Sequence, residues 1–234
     1  NTVVMFMSDN GACAETIGLA DSNRPGGKES FSSYMLPWAN AGNTPFRLFK
    51  HWTHEGGIAT PFIASWPGRF ATDAPAGVVD RHTIGHVKDI MATCIELGGG
   101  EYPQEKDGRP ITPHSSVSLA GSLQPDPAEP SGSQLLHLEH EGNRAVRLDN
   151  WKLVSFYSEA RGWKKHGVGT GPRTGKWELY NLAEDRSELT DLSADEPARL
   201  REMVEMYDEW VAHCPVEDYE EVLRLRNLPD DGDL

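Results

Sequence analysis

The 234-residue sequence predicts an α/β fold in two parts. Residues 1–100 read as an incomplete mixed-sheet α/β domain, and residues 135–234 as an α+β subdomain with a small antiparallel sheet and one helix. Three observations predict this. Val3-Val4-Met5-Phe6-Met7 is a continuous apolar run, the pattern of a strand buried on both faces of a parallel or mixed sheet. Ile84, Val87, Met91, Cys94 or Ile95, and Leu97 follow helical spacing, so helix follows strand in the first part. Between Leu135 and Leu182 several short strand-like runs succeed one another ahead of a single amphipathic stretch.

The first strand stops at Ser8-Asp9-Asn10-Gly11. Residues 12–45 are rich in Gly, Ser, Asn and Pro with little periodicity and read as a long loop, packed down by Phe31, Tyr34 and Trp38. A second buried strand is expected at Pro61–Trp66, closed by Pro67-Gly68. The helix that follows ends at Gly98-Gly99-Gly100, a strong terminator. Residues 101–134 hold six prolines among Gly, Ser and Asp, and read as the connector at the domain boundary. Strands are then expected at Leu135–Glu139, Arg144–Leu148, Lys152–Tyr157 and Trp177–Leu182, with Asp149-Asn150 as a turn. Leu200, Met203, Val204, Tyr207, Trp210 and Val211 form one face of a helix introduced by Asp195-Glu196-Pro197, which should cover the sheet. From Glu217 the acidic tail reads as a solvated end.

Charge narrows the function classes. With 22 Lys and Arg against 36 Asp and Glu, the net −14 argues against a protein that tracks nucleic-acid phosphates or docks on an anionic membrane. Mean hydropathy is −0.54, and no apolar run approaches the roughly 20 residues of a membrane-spanning helix. Cys13, Cys94 and Cys214 lie far apart, indicating neither a disulfide framework nor a cysteine zinc site. The chain opens on Asn1-Thr2 and a strand, with no signal-like segment, and is expected to be a fragment of a longer protein.

Asp9 and Asn10 stand just past the carboxyl end of a strand, where open α/β sheets place ligands. A carboxylate and an amide oxygen are hard donors that suit calcium or magnesium, and Gly11 lets the chain turn behind them. Asp-Asn-Gly is equally an ordinary turn. Further along stands the run Asn43-Thr-Pro-Phe-Arg-Leu-Phe-Lys50-His-Trp-Thr-His-Glu55-Gly56-Gly57-Ile-Ala-Thr-Pro61, leading to Trp66-Pro67-Gly68. This ordered pair of motifs resembles the sulfatase (arylsulfatase) family, in which a strand ending S-D-N-G is followed by an active-site Lys, then E-G-G, a Pro and W-P-G. The resemblance runs on through Asp80 to Gly98 and through Asp107-Gly108 to Leu119. It reaches the second part in Asn150-Trp-Lys-Leu-Val and in the stretch from Glu178 to Leu192.

The resemblance implies the alkaline-phosphatase-like fold and a sulfuric ester hydrolase. It implies that Asp9 and Asn10 bind a calcium ion and that Lys50 contacts the sulfate group of the substrate, a small-molecule or carbohydrate sulfate ester. A divalent cation neutralises sulfate oxygens and polarises the sulfur centre, and a Lys ammonium is a compact point charge for the same anion. His54, four residues on, is a candidate substrate contact. The family's nucleophile is a formylglycine made from the Cys or Ser of C-x-P-x-R, and none of Cys13, Cys94 and Cys214 fits that motif. That nucleophile, an acidic pair on the same metal and the catalytic histidines are expected in sequence preceding Asn1, so this chain alone should not hydrolyse a sulfate ester. Periplasmic or secreted location is likewise implied by the resemblance.

Other clusters weigh less. His51, His54 and Glu55 place three donors within five residues, but Gly56-Gly57 disfavours the sustained helix that would aim them at one zinc ion. His137 and His140 read as sheet-face residues, and Trp163-Lys164-Lys165-His166 as a solvated basic loop. There is neither a Walker loop nor a dinucleotide fingerprint. The alternatives are a phosphatase or phosphodiesterase of the same superfamily, since metal plus lysine also suits phosphate, and a degenerate binding module.

Overall fold

A computed structural model of the chain describes residues 2–15, 28, 32–33, 35–67, 79–80, 83–123, 134–157 and 175–225. In chain order the elements are β1 (Val4–Met7), α1 (Met35–Asn43), α2 (Glu55–Ile58), β2 (Phe62–Ser65), α3 (Asp89–Leu97), β3 (Glu105–Lys106), β4 (Arg109–Pro110), β5 (Leu135–His140), β6 (Asn143–Leu148), β7 (Trp151–Ser155), β8 (Trp177–Asn181), α4 (Pro197–His213) and α5 (Tyr219–Leu225). They gather into two compact units. Residues 1–9 and 61–133 make the first, and residues 10–60 and 134–234 the second, so the chain crosses between units at the Asp9–Asn10 peptide.

In the first unit β1 pairs antiparallel with β2, Val4 opposite Ser65 and Met7 opposite Phe62. The expected strand is present, but not its burial: Val4, Phe6 and Ile63 are each at least 60% exposed. The ribbon has two strands among the described residues, and its burial alternates: Met5 and Met7 are half-buried while Val4 and Phe6 face out. The helix anticipated before Gly98 is α3, and its end is a Schellman cap: Gly99 N–H donates to Glu96 O, Gly100 N–H to Ile95 O, and Gly99 takes φ +65°. Buried Asp89 ties the following strap to this helix. Its carboxylate accepts from His86 N–H at 2.8 Å and Val117 N–H at 2.9 Å, and Thr93 Oγ1 accepts from Leu119 N–H at 2.8 Å. Within the expected Pro-rich connector lies the small hairpin β3–β4, turned by Asp107 and Gly108 at positive φ.

The second unit is built on the four-stranded antiparallel sheet β5-β6-β7-β8. Two-residue turns set the register. Glu141-Gly142 joins His140 to Asn143 with both residues at positive φ, and Asp149-Asn150 joins Leu148 to Trp151 as the sequence predicts. One face presents Val146, Leu153 and Leu179 to Met203 and Tyr207 of α4, while Trp210 stacks on His137 at 5.2 Å. Pro197 occupies the first turn of α4, where its missing N–H leaves no bond unmade.

The opposite face, with Ala145, Val154 and Tyr180, is buried too, and it meets the segment that precedes β2 in sequence. That segment packs its own cluster of Ala14, Ala39, Phe49 and Trp52 onto Phe156. It also contains a helix, α1, where a loop was expected; Pro37 sits in its first turn, and Gly and Asn mask its periodicity. Trp38 on that helix is 70% exposed rather than packed down, and Phe31 and Tyr34 lie outside the described residues. Within the acidic tail Tyr219–Leu225 form α5, which Asp218 caps by accepting from Glu220 N–H at 2.8 Å; residues 226–234 lie outside the described residues.

Candidate active site

Within the second unit the chain after Asn10 docks backbone to backbone on the chain around Glu55. Gly11 N–H donates to Gly57 O at 2.8 Å, Gly56 N–H to Arg47 O at 2.8 Å, and Lys50 N–H to Ala12 O at 3.1 Å. Asn43 closes the loop by accepting from Ala12 N–H and donating to Leu48 O, both at 3.0 Å. No side chain fits here. A Cβ on Gly11 would lie 1.8 Å from Gly56 O, and one on Gly56 would lie 2.2 Å from the carbonyls of Arg47 and Leu48. Gly11, Gly56 and Gly57 therefore allow the close approach of the two backbone segments, which sets Lys50 beside the segment following Asn10.

Lys50 is partly exposed, with its Nζ 3.7 Å from Glu15 Oε2. Both side chains are more than 40% exposed, so this pair is weak and leaves the ammonium available to an anion. Asn10 is half-buried at the start of the second unit, and Asp9 is exposed at the end of β1 in the first.

Glu55 is a brace, not a ligand. It is fully buried, and its Oε1 accepts from Lys152 Nζ at 3.0 Å and its Oε2 from Arg186 Nη2 at 3.2 Å. Lys152, also fully buried, reaches Glu188 Oε1 at 2.8 Å, and Glu188 Oε2 accepts the Glu55 backbone N–H at 2.7 Å. Burial pushes the Glu55 carboxyl up, but Lys152, with Arg147 and Arg186, outweighs it and holds the pKa below the ordinary value. Lys152 and Glu188 stand in the two family-like stretches of the second part, but their pairing with Glu55 is not legible in sequence, because a strand and a turn both accommodate charged residues on a solvated face.

His54 departs from the expected substrate contact. It is 1% exposed, stacks on Phe156 at 4.3 Å and donates from Nε2 to Glu178 Oε2 at 3.3 Å. Burial, the largest influence, pushes its pKa down against the opposing pull of Glu178, so the ring is neutral. Glu178 stays ionised: burial raises it, yet hydrogen bonds from His54 and Tyr180 and the charge of Arg47 hold it low. A ring so enclosed has no face for a substrate, and its place in this structure is structural. The three-donor grouping of His51, His54 and Glu55 is also dispersed: His54 goes to Glu178, Glu55 to Lys152, and His51 to Glu141. Trp163 to His166 lie outside the described residues.

Residues 1–100 match the family model for Sulfatase. The chain is 31% identical over 227 residues to a sulfatase of Schizosaccharomyces pombe, covering 88% of this chain and 37% of that protein. It is 36% identical over 173 residues to N-acetylgalactosamine-6-sulfatase of Sus scrofa, covering 72% and 26%, and 30% identical over 208 residues to arylsulfatase G of Rattus norvegicus, covering 84% and 34%. Among solved structures, Ps i-CgsB in complex with k-i-k-neocarrahexaose is similar at TM-score 0.59 and 22% identity, over 98% of this chain and 42% of that one. A sulfatase from Pseudoalteromonas sp. gives TM-score 0.59 and 22% identity, over 91% and 37%. The fold is part of the alkaline-phosphatase-like α/β architecture of these enzymes. The chain belongs to the sulfatase family. It spans 26–37% of the length of the curated relatives named here.

Proposed function

We propose that the protein containing this chain is an arylsulfatase-like sulfuric ester hydrolase acting on a small-molecule or carbohydrate sulfate ester. The observation that supports this reading is the docking of Gly11 and Ala12 onto Gly57 and Lys50 within the second unit, which sets a partly exposed ammonium beside the segment that begins at Asn10. Carbohydrate substrates are favoured by similarity to an N-acetylgalactosamine-6-sulfatase and to a structure holding a neocarrahexaose. Asp9 and Asn10 would contribute to a calcium site, with magnesium as the alternative, because a carboxylate and an amide oxygen are the hard donors such ions take. When bound, the cation supplies charge neutralisation at the sulfate oxygens.

Lys50 acts on the same anion from the protein side. Its ammonium binds a sulfate oxygen and holds positive charge where negative charge grows on the bridging oxygen. Its backbone N–H, fixed to Ala12 O, keeps the base of the side chain in place. We assign the nucleophile to a formylglycine in sequence outside these 234 residues, since C-x-P-x-R does not occur within them. These residues alone should then be inactive, and export to the periplasm or cell exterior follows the family resemblance.

The test is hydrolysis of 4-nitrocatechol sulfate by protein expressed from its complete reading frame. Wild type should turn over the sulfate ester, and Lys50→Ala should lower kcat/KM by roughly 100- to 1000-fold, the scale of losing one transition-state donor. Cleavage of aryl phosphates or phosphate diesters without sulfate ester cleavage would reassign the reaction to phosphoryl chemistry. An unaffected Lys50→Ala enzyme would remove Lys50 from the site.

A further inference from the structure

The second unit brings together two imidazoles and a carboxylate that neither the family match nor the motif reading accounts for. His51 follows Lys50 in the docked loop, His140 ends β5, and Glu141 opens the β5–β6 turn. One ligand-type atom from each of the three lies within 4.8 Å of those of the other two. His51 Nδ1 is 3.1 Å from Glu141 Oε2, and the rings of His51 and His140 meet edge to face at 5.5 Å. A tetrahedral zinc ion with bonds near 2.0–2.1 Å sets neighbouring ligand atoms about 3.3 Å apart, so the His51–Glu141 spacing is already that of two ligands on one ion.

The backbone beneath the cluster is held in place. Asn143, 2% exposed, donates from Nδ2 to His140 O at 3.1 Å and to His51 O at 3.4 Å, while its Oδ1 accepts from Tyr157 N–H at 3.2 Å. One buried amide thus fixes the main chain of both histidines, which are far apart in sequence. His51 also takes φ +101°, a conformation costly for a non-glycine residue and retained where surrounding structure imposes it. His140 is exposed and Glu141 half-buried, so the cluster is reached from solvent at His140.

We propose that His51, His140 and Glu141 bind a divalent transition ion of the zinc type, tying the loop that carries Lys50 to the β5–β6 hairpin. Two imidazoles and one carboxylate suit zinc, cobalt or nickel rather than calcium, whose ligands are oxygens. Loading places the ion between His51 Nδ1 and Glu141 Oε2, which stand 3.1 Å apart without it.

The experiment uses the full chain, stripped with EDTA and titrated with Co2+ in excess Ca2+, which occupies oxygen-donor sites. The wild type should develop the intense visible bands of four- or five-coordinate cobalt, abolished on adding Zn2+. His140→Gln removes a ligand at an exposed position and should weaken Co2+ binding at least ~10-fold, since even loss of an outer partner of a ligand costs about that much. Its melting temperature in EDTA should equal that of the wild type, which separates ligand loss from misfolding. Glu141→Gln should act in the same direction. A wild type showing only the weak spectrum of hexa-aquo cobalt, or a His140→Gln protein that binds as tightly as wild type, overturns the proposal. The readout is spectroscopic, so it stands or falls independently of sulfate ester hydrolysis.

Discussion

Lys152 shows how much of this site depends on one residue outside both motifs. Its ammonium lies between Glu55 and Glu188, and all three side chains are fully buried. Removing one partner of such a group strands charge in a low-dielectric interior, whereas replacing the whole group is far less costly. Lys152→Met should therefore destabilise the protein by about 3–5 kcal/mol in urea unfolding. Adding Glu55→Gln and Glu188→Gln should recover part of that loss; a triple variant less stable than the single one would contradict the account. His54 sets a pH dependence of defined sign. Its folded pKa is depressed below the ordinary 6.5, so its contribution is complete above pH 6.5 and is lost as pH falls toward the folded value. His86, lowered by burial and by Lys88, adds to the same slope. Glu55 and Glu178, depressed below 4.5, extend it at lower pH. Melting temperature measured from pH 7.5 to 5 should decline below 6.5, and His54→Gln should flatten that decline; an unchanged slope would rule out His54 as a source.

At the scale of elements, the docking of Asp-Asn-Gly on Glu-Gly-Gly has a direct test. A Cβ at Gly56 meets backbone oxygens that cannot rotate away, so Gly56→Ala should cost upwards of about 2 kcal/mol. Gly121, with nothing within 4 Å of an added Cβ, is the control, and its alanine variant should fall within roughly ±0.5 kcal/mol. Equal stabilities measured by urea unfolding would mean the two loops do not pack as described. These glycines were legible in sequence as motif letters, though the letters did not say what they approached. The β5–β8 sheet, its Asp149-Asn150 turn and the α4 face were legible because alternation and helical spacing report one buried face directly. The other buried face was not legible. Lys152 and Glu178 on it look solvent-facing, because a buried charge is marked only by its partners, and Glu55 and His54 lie roughly a hundred residues away. For the same reason His51 and His140 gave no sign of meeting.

For the whole molecule, the partition into two units runs across the sequence rather than along it. The segment from Asn10 to Thr60 belongs with the C-terminal sheet, while β1, the preceding strand, belongs with residues 61–133. The prolines after residue 101 read as a connector, yet residues 101–133 belong with α3 in the first unit, and composition cannot show that a segment packs against a sheet formed far downstream. The site residues follow this partition. Asp9 ends the first unit's opening segment, whereas Asn10, Lys50 and their glycine supports all belong to the second. In the proposed reading these residues serve the hydrolysis of a sulfate ester. The most direct measurement compares kcat/KM for an aryl sulfate and the matching aryl phosphate, using wild-type and Lys50→Ala protein expressed from the complete reading frame. Preference for the sulfate is expected, with a loss of roughly 100-fold or more in the variant. A preference for the phosphate, or a variant as active as wild type, would contradict it.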